Sequence, residues 1–380
     1  LRQSIPLSLY IHFPWCVQKC PYCDFNSHAL RNNDLPETSY IDQLIREFDY
    51  HINQIGSRPL HTLFLGGGTP SLFSAQSIER LLNHIKSVTQ TPDDVEITLE
   101  ANPGTLTNTK YPEFLSAGIN RLSIGVQSFN PTQLKNLGRI HNPSQAKDAL
   151  EQAAHAGFKR INADLMFGLP QQTPEEACSD IKEAIALPTT HLSWYQLTLE
   201  PNTSFYRFPP KLPDDDQLFK IQEAGQANLQ AADFNLYEVS AYCKNKDYCR
   251  HNLNYWTFGD YLGIGAGAHS KITQENGQVI RYQNEKHPKR YQQPDIRKII
   301  HQKPVADKEL PFEFFLNSFR LQQAIPKKLF TQRTGLPLSS IDRPIQRASQ
   351  LDFIVENTED WTVTATGKLF LNDLLELFLH

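Results

Sequence analysis

The chain has 380 residues, 39% of them hydrophobic, with 37 Lys and Arg against 41 Asp and Glu for a net charge of -4. That length and apolar content fit one large domain with a smaller appendage, and the near-neutral balance gives no electrostatic footprint for nucleic acid or anionic lipid. No apolar run approaches the ~18 residues of a membrane span and no charged-then-apolar leader opens the sequence, so a cytoplasmic protein is expected.

The first β-rich run, LSLYIHF, leads directly into PWCVQKCPYCDF, where Cys16, Cys20 and Cys23 sit within eight residues. Six cysteines in a chain this long are too sparse for a disulfide framework, and the clustering of half of them points to metal. Three and then two intervening residues let one short loop wrap around a single inorganic centre. A structural zinc site is normally closed by four protein ligands, and no matching Cys or His pair follows nearby. Three thiolates alone suit a 4Fe-4S cluster whose fourth iron stays open to an outside ligand.

Five further β-rich runs follow: LHTLFLGG at 60, VEITLEAN at 95, NRLSIGVQ at 120, KRINADLMFG at 159 and HLSWYQLTLE at 191. Helical stretches such as TSYIDQLIREFDYHINQI, SAQSIERLLNHIKSV and TPEEACSDIKEAIAL lie between them, the last with Pro174 near its start, where a missing N–H does little harm. This alternation is the signature of stacked βα units on a parallel sheet. Six units make an incomplete (β/α)6 TIM-like barrel, short of the eight needed for closure and open at the side.

In such folds chemistry collects at the carboxyl ends of the strands. GGGTP closes the second run, and its glycines permit close backbone approach, so the N–H groups of Gly67, Gly68 and Thr69 are expected to meet a ligand. Glu100 in LEANPG, Gln127 in GVQS, Arg139 in LGRIHN and Asp164 in NADLMFGLP lie at or beyond successive strand ends. They offer acceptors for hydroxyl and amine groups and a donor for carboxylate or ribose oxygens. Singly, each would read as a helix cap or a rim ion pair; their shared placement on one face joins them.

After residue 200 the rhythm breaks at EPNTSFYRFPPKLPDDD, a proline-rich loop feeding another helix, followed by less regular β-like segments up to YLGIGAGAHSK. The domain boundary is expected within KHPKRYQQPDIRKIIHQKPVADKEL. The remainder begins with the helical PFEFFLNSFRL and ends with LDFIVENTEDWTVTATGKLFLNDLLELFL, read as strand, turn, strand and terminal helix. That arrangement is winged-helix-like, and without a basic surface its expected role is packing or partner contact. Cys243 and Cys249 read as small buried hydrophobes rather than as thiolate ligands.

The cysteine spacing, Tyr22 just before the third cysteine, and the position after strand one resemble the radical S-adenosylmethionine (SAM) superfamily. The resemblance implies that Cys16, Cys20 and Cys23 ligate a 4Fe-4S cluster, and that Tyr10, Tyr22, Gly67, Gly68, Thr69, Glu100, Gln127, Arg139 and Asp164 occupy positions that contact SAM. In that superfamily an electron from the reduced cluster cleaves the sulfonium, the cofactor carries the hard chemistry, and the protein positions it. Over nearly the whole chain the resemblance is closest to the oxygen-independent coproporphyrinogen III oxidase-like family. It divides the chain into a radical SAM core at 1–235, a β-rich extension at 236–300 and a HemN-type C-terminal domain at 301–380.

That family has two branches: a dehydrogenase that oxidatively decarboxylates porphyrinogen propionates, and a haem-chaperone branch, HemW. The dehydrogenases carry a further cysteine two places after the third ligand and a longer leading segment; here CPYCDF places Phe25 at that position, and 15 residues precede Cys16. HNLNYW, from His251 to Trp256, matches the HNxxYW motif of the chaperone branch. Imidazole is an ordinary axial ligand and aromatic rings pack on porphyrins, so His251 is the expected haem residue. The other reading has His251 hydrogen-bonding backbone while Tyr255 and Trp256 fill a core. The resemblance thus implies a haem chaperone rather than an enzyme, passing haem to acceptor haemoproteins of the respiratory chain and receiving electrons from a donor. Membrane-bound acceptors would allow peripheral membrane association. Oligomeric state stays open, as do anaerobic coproporphyrinogen decarboxylation and a SAM sensor without haem.

Overall fold

A computed structural model describes residues 5–30, 34–56 and 58–379. The six β-rich runs form strands β1 (Leu7–Phe13), β2 (Leu60–Gly67), β3 (Glu96–Ala101), β4 (Arg121–Gln127), β5 (Arg160–Phe167) and β6 (His191–Gln196), paired in parallel and in chain order. Helices cross between them: α1 (Glu37–Ile55), α2 (Ala75–Val88), α3 (Pro143–His155) and α4 (Pro174–Ala186). Leu7, Leu9, Ile11 and Phe13 of β1 are fully buried, as a strand covered on both faces requires. Tyr40, Ile41, Leu44 and Phe48 form the buried stripe of α1. Asn142–Gln145 and Thr173–Glu176 capping boxes start α3 and α4, each with proline in the first turn.

The chain after residue 200 widens this sheet. Helix α5 (Asp215–Ala231) precedes short strands β7 (Asn235–Leu236) and β8 (Ala241–Cys243), which run antiparallel beyond β6. After helix α6 (Arg250–Trp256), on the far side, β9 (Asp260–Ile264) pairs in parallel with β1, placing β1 inside the sheet. Antiparallel β10 (His269–Thr273), β11 (Val279–Asn284) and β12 (Ile300–Pro304) follow. The result is one open sheet of twelve strands among the described residues, with β12 and β7 at its edges. Asp260 anchors the β9 side as a buried carboxylate, accepting from Arg58 and from Lys271, each at 2.8 Å.

A second hydrophobic core begins at Val305 and takes Phe258 and Val279 from the sheet side. It packs α7 (Leu310–Ser318), α8 (Lys327–Thr334) and α9 (Asp342–Gln350) against a three-stranded sheet of β13 (Ile325–Pro326), β14 (Ile354–Glu356) and β15 (Asp360–Val363). Phe315 packs at a tilt on Phe378, ring centroids 4.3 Å apart, and meets Trp361 at 5.5 Å. This is the winged-helix-like α+β unit, and the α/β fold class holds throughout. No described helix is long and apolar enough to cross a membrane.

Candidate functional site

The cysteine loop leaves β1 and is held by backbone on both sides. Trp15–Cys16 pairs with His28–Ala29, and the Cys23 N–H bonds to the Cys20 carbonyl at 3.1 Å. Tyr22 is half-buried, packed with Phe205 against Leu137, Met166 and Leu169, and the Phe205 N–H donates to the Pro21 carbonyl at 2.9 Å. None of the six cysteines is in a disulfide. Burial pushes the Cys16 thiol up to about 11, so a positive centre is needed to hold it as thiolate.

Gly67, Gly68 and Thr69 meet this loop differently from the expectation. The Gly68 N–H donates to the Phe13 carbonyl and the Thr69 N–H to the Trp15 carbonyl, both at 2.7 Å, while the Gly67 N–H donates to Glu100 Oε2 at 2.9 Å. The Gly68 and Thr69 N–H groups thus fasten the end of strand β2 to the end of β1 and the start of the cysteine loop, and the Gly67 N–H is taken by Glu100 of β3. A side chain at Gly68 would run into the Phe13 and Trp15 backbone, which is why glycine is required there. Gly67 has a positive φ of 110° and lies against the His12 ring.

Cys16, Cys20 and Cys23 line a cavity of ≈240 Å3 with Tyr22, Gly67, Gly68, Thr69, Glu100, Gln127, Arg139 and Asp164. Tyr10 faces a neighbouring cavity instead. Among the described residues no three His, Cys, Asp or Glu side chains are grouped so as to hold a lone metal ion. Arg139 Nη1 lies 3.6 Å from Cys20 Sγ, and its Nη2 donates to Asn102 Oδ1 and to the Gly125 carbonyl. Arg139 Nε is buried with no hydrogen-bond partner, a donor left for a ligand.

Two carboxyl groups face the same cavity. Burial pushes Glu100 up to about 7; the Gly67 N–H opposes this and Asp164 adds to it. Asp164 is also raised by burial, although it accepts from Ser123 at 3.1 Å and Asn162 at 2.8 Å. Paired buried carboxyls of this kind favour a cationic ligand, as a sulfonium amino acid is. Gln127, at a positive φ of 69°, accepts from the Tyr195 hydroxyl at 2.8 Å. Asn102, Ser123 and Tyr195 line this cavity and were not singled out from sequence; Asn102, just past β3, and Tyr195, next to last in β6, follow the same strand-end rule as their neighbours, whereas Ser123 lies in the middle of β4.

A second cavity, of ≈690 Å3, adjoins the first and shares Lys19, Phe25, Ser27, Gly67 and Glu100 with it. Phe25 is 60% exposed and stands on the wall between the two. Tyr10, Tyr255, Trp256, Phe258 and Tyr261 supply the aromatic surface of the larger space. HNLNYW forms helix α6 (Arg250–Trp256), whose Tyr255 and Trp256 reach this cavity while His251 does not.

His251 is 1% exposed and its ring is engaged at both nitrogens. Thr62 donates its hydroxyl proton to Ser8 and so accepts from His251 Nδ1 at 2.8 Å; Nε2 then accepts from the Tyr255 hydroxyl at 2.9 Å. Burial lowers the ring to about 3, with Glu96 opposing and Arg121 assisting. In this conformation His251 has no free lone pair to give an iron. Glu96 caps the start of α6, accepting from the N–H groups of Arg250 and His251. Burial would raise Glu96, but Arg121, Arg160 and those N–H groups hold it down to about 2.

Residues 10–184 match the model of the radical SAM superfamily, and residues 305–370 match that of the HemN C-terminal domain. Proteins named heme chaperone HemW are 53% identical in Haemophilus influenzae and 49% in Escherichia coli, each over 98% of both chains. The one in Bacillus subtilis is 33% identical over 98% of this chain and 99% of its own. A solved structure of coproporphyrinogen III oxidase (HemN) from E. coli superposes with a TM-score of 0.84 at 24% identity, covering 99% of this chain and 90% of that one, which shows the shared fold. With full-length identity to the chaperones of up to 53%, this chain belongs to the HemW heme chaperone family within the radical SAM superfamily.

Proposed function

We propose that this protein is a haem chaperone that carries a SAM-coordinating 4Fe-4S cluster, binds haem and hands it to acceptor haemoproteins. The full-length relation to the HemW proteins carries the reading. Cys16, Cys20 and Cys23 would hold the cluster; when bound, its open iron supplies the place where SAM is chelated. Around it, Glu100 and Asp164 would balance the cationic end of SAM, and Arg139 Nε would donate to its carboxylate or ribose. Thr69 and Gln127 would complete the polar lining, with Tyr22 fixing the loop. The adjoining ≈690 Å3 space lies within the ~300–1,000 Å3 of ordinary ligand sites and has the aromatic walls that a porphyrin face would contact.

Decarboxylation is the competing activity, and Phe25 argues against it, because a bulky ring stands on the wall between the cavities where the dehydrogenase branch carries a thiol. Acceptors in the respiratory chain, and peripheral membrane association where such an acceptor is membrane-bound, are part of the same proposal. The test is direct. Protein with a spectroscopically verified cluster, given SAM, reductant and coproporphyrinogen III, should release no carbon dioxide, and should shift the Soret band of added ferric haem. Formation of protoporphyrinogen IX would replace the chaperone by the enzyme; absence of any Soret shift would leave a SAM sensor.

A further inference from the structure

The chaperone reading leaves open which group takes the haem iron, and the larger cavity narrows the choice. Three histidines line it: His12, His28 and His269. His12 is committed at both nitrogens, with Nδ1 accepting from the Tyr10 hydroxyl at 3.0 Å and Nε2 donating to the Asn26 carbonyl at 2.9 Å. His28 is bonded through Nε2 to Asn26 Oδ1 at 3.3 Å, meets the Lys286 backbone, and packs edge-on to His287 at 5.7 Å. His269, the first residue of β10, is exposed, and its ring has no hydrogen-bond partner among the described residues.

The surroundings of His269 suit a dianionic porphyrin. Tyr255, Trp256 and Tyr261 face the same space and offer aromatic contact. Lys286 is exposed on the rim, and Arg281 joins the wall, its guanidinium bridging the Tyr261 hydroxyl and Glu313 at 2.6 Å. A cation unclaimed by an acid partner is what a propionate would recruit, and of these two Lys286 is the one without a salt bridge among the described residues. His269 and Arg281 also border a further cavity of ≈580 Å3, so this imidazole stands where the two spaces share a wall. Burial together with Lys286 and Arg281 lowers His269, which keeps a lone pair available at neutral pH.

The geometry points to His269 as the axial ligand of the haem iron in the larger cavity, with Lys286 pairing a haem propionate and Tyr255 and Trp256 of the HNLNYW helix packing on the ring. The coordination step is simple: the imidazole lone pair enters the iron and displaces a weakly held water, with no change of oxidation state. This assignment rests on the haem-chaperone reading.

Ferric haem titrated into the full-length, cluster-reconstituted protein separates the two. The wild type and His251→Phe should share one Soret maximum and one electron paramagnetic resonance signal, that of a ferric haem with a single imidazole ligand. His269→Ala, a change at an exposed position, should lose that signal and weaken binding about tenfold or more, with free imidazole restoring the spectrum. Lys286→Ala should weaken haem about tenfold and its dimethyl ester hardly at all. A His269→Ala protein that keeps the wild-type spectrum and affinity overturns the ligand assignment while the chaperone reading stands. A wild type that binds no haem overturns both.

Discussion

Replacing His251 by Ala separates a structural histidine from an iron ligand. The buried imidazole links Thr62 of β2 to Tyr255 of α6 and packs against Phe64 with ring centroids 5.0 Å apart. Truncation leaves the Tyr255 hydroxyl without its acceptor, costing about 1–3 kcal/mol. It also opens a void the size of a ring; removing a buried aromatic side chain costs roughly 3–5 kcal/mol, and imidazole, being smaller and polar, belongs at or below the lower end. The sum is about 3–5 kcal/mol, a large part of a typical stability of about 5–15 kcal/mol. Urea unfolding followed by tryptophan fluorescence reads it, alongside a haem titration on the fraction that remains folded. The expected result is a much lower midpoint with an unshifted Soret maximum. A variant of unchanged midpoint whose haem spectrum is lost would show that His251 leaves its pocket to bind iron, and would refute the reasoning.

Other outcomes follow from the same geometry. Gly68→Ala should displace the cysteine loop, because the new methyl meets the Phe13 and Trp15 backbone; iron and sulfide content after reconstitution should drop several-fold while far-ultraviolet circular dichroism stays that of the wild type. Glu96 has its folded pKa held near 2, below the ordinary 4.5 of a glutamate, so its contribution is full above pH 4.5 and is lost as pH falls toward 2. Glu96→Gln should therefore destabilise by about 3–5 kcal/mol at pH 7 and flatten the acid limb of a stability–pH curve. Glu100 has the opposite sign: its folded pKa is raised from 4.5 to about 7, so it erodes stability as pH rises across that window. A bound cation should relieve this, and the thermal shift given by SAM should grow between pH 6 and 8 in the wild type but not in Glu100→Gln.

Much of the site was legible because parallel strands put chemistry at one end. Glu100, Gln127 and Asp164 could be placed on a common face from strand ends alone, and three cysteines in eight residues announced an inorganic centre. What the sequence hid was long-range pairing. Nothing local in YLGIG says that β9 docks beside β1, some 250 residues earlier in the chain, and it is this pairing that builds the wall of the larger cavity. The HNLNYW motif was visible, yet which face of its helix turns inward depends on Thr62, 189 residues from His251, and on Glu96 at its start. Likewise the glycine run foretold close backbone approach, but not that the approach would be to the cysteine loop itself.

Haem transfer tests the central claim most directly. Haem-loaded protein with an intact cluster, mixed with an apo-haemoprotein of the respiratory chain, should lose its Soret signature to the acceptor faster than it loses haem to an excess of a passive scavenger such as apomyoglobin. Equal rates to both would mean that haem merely dissociates, and would contradict a chaperone.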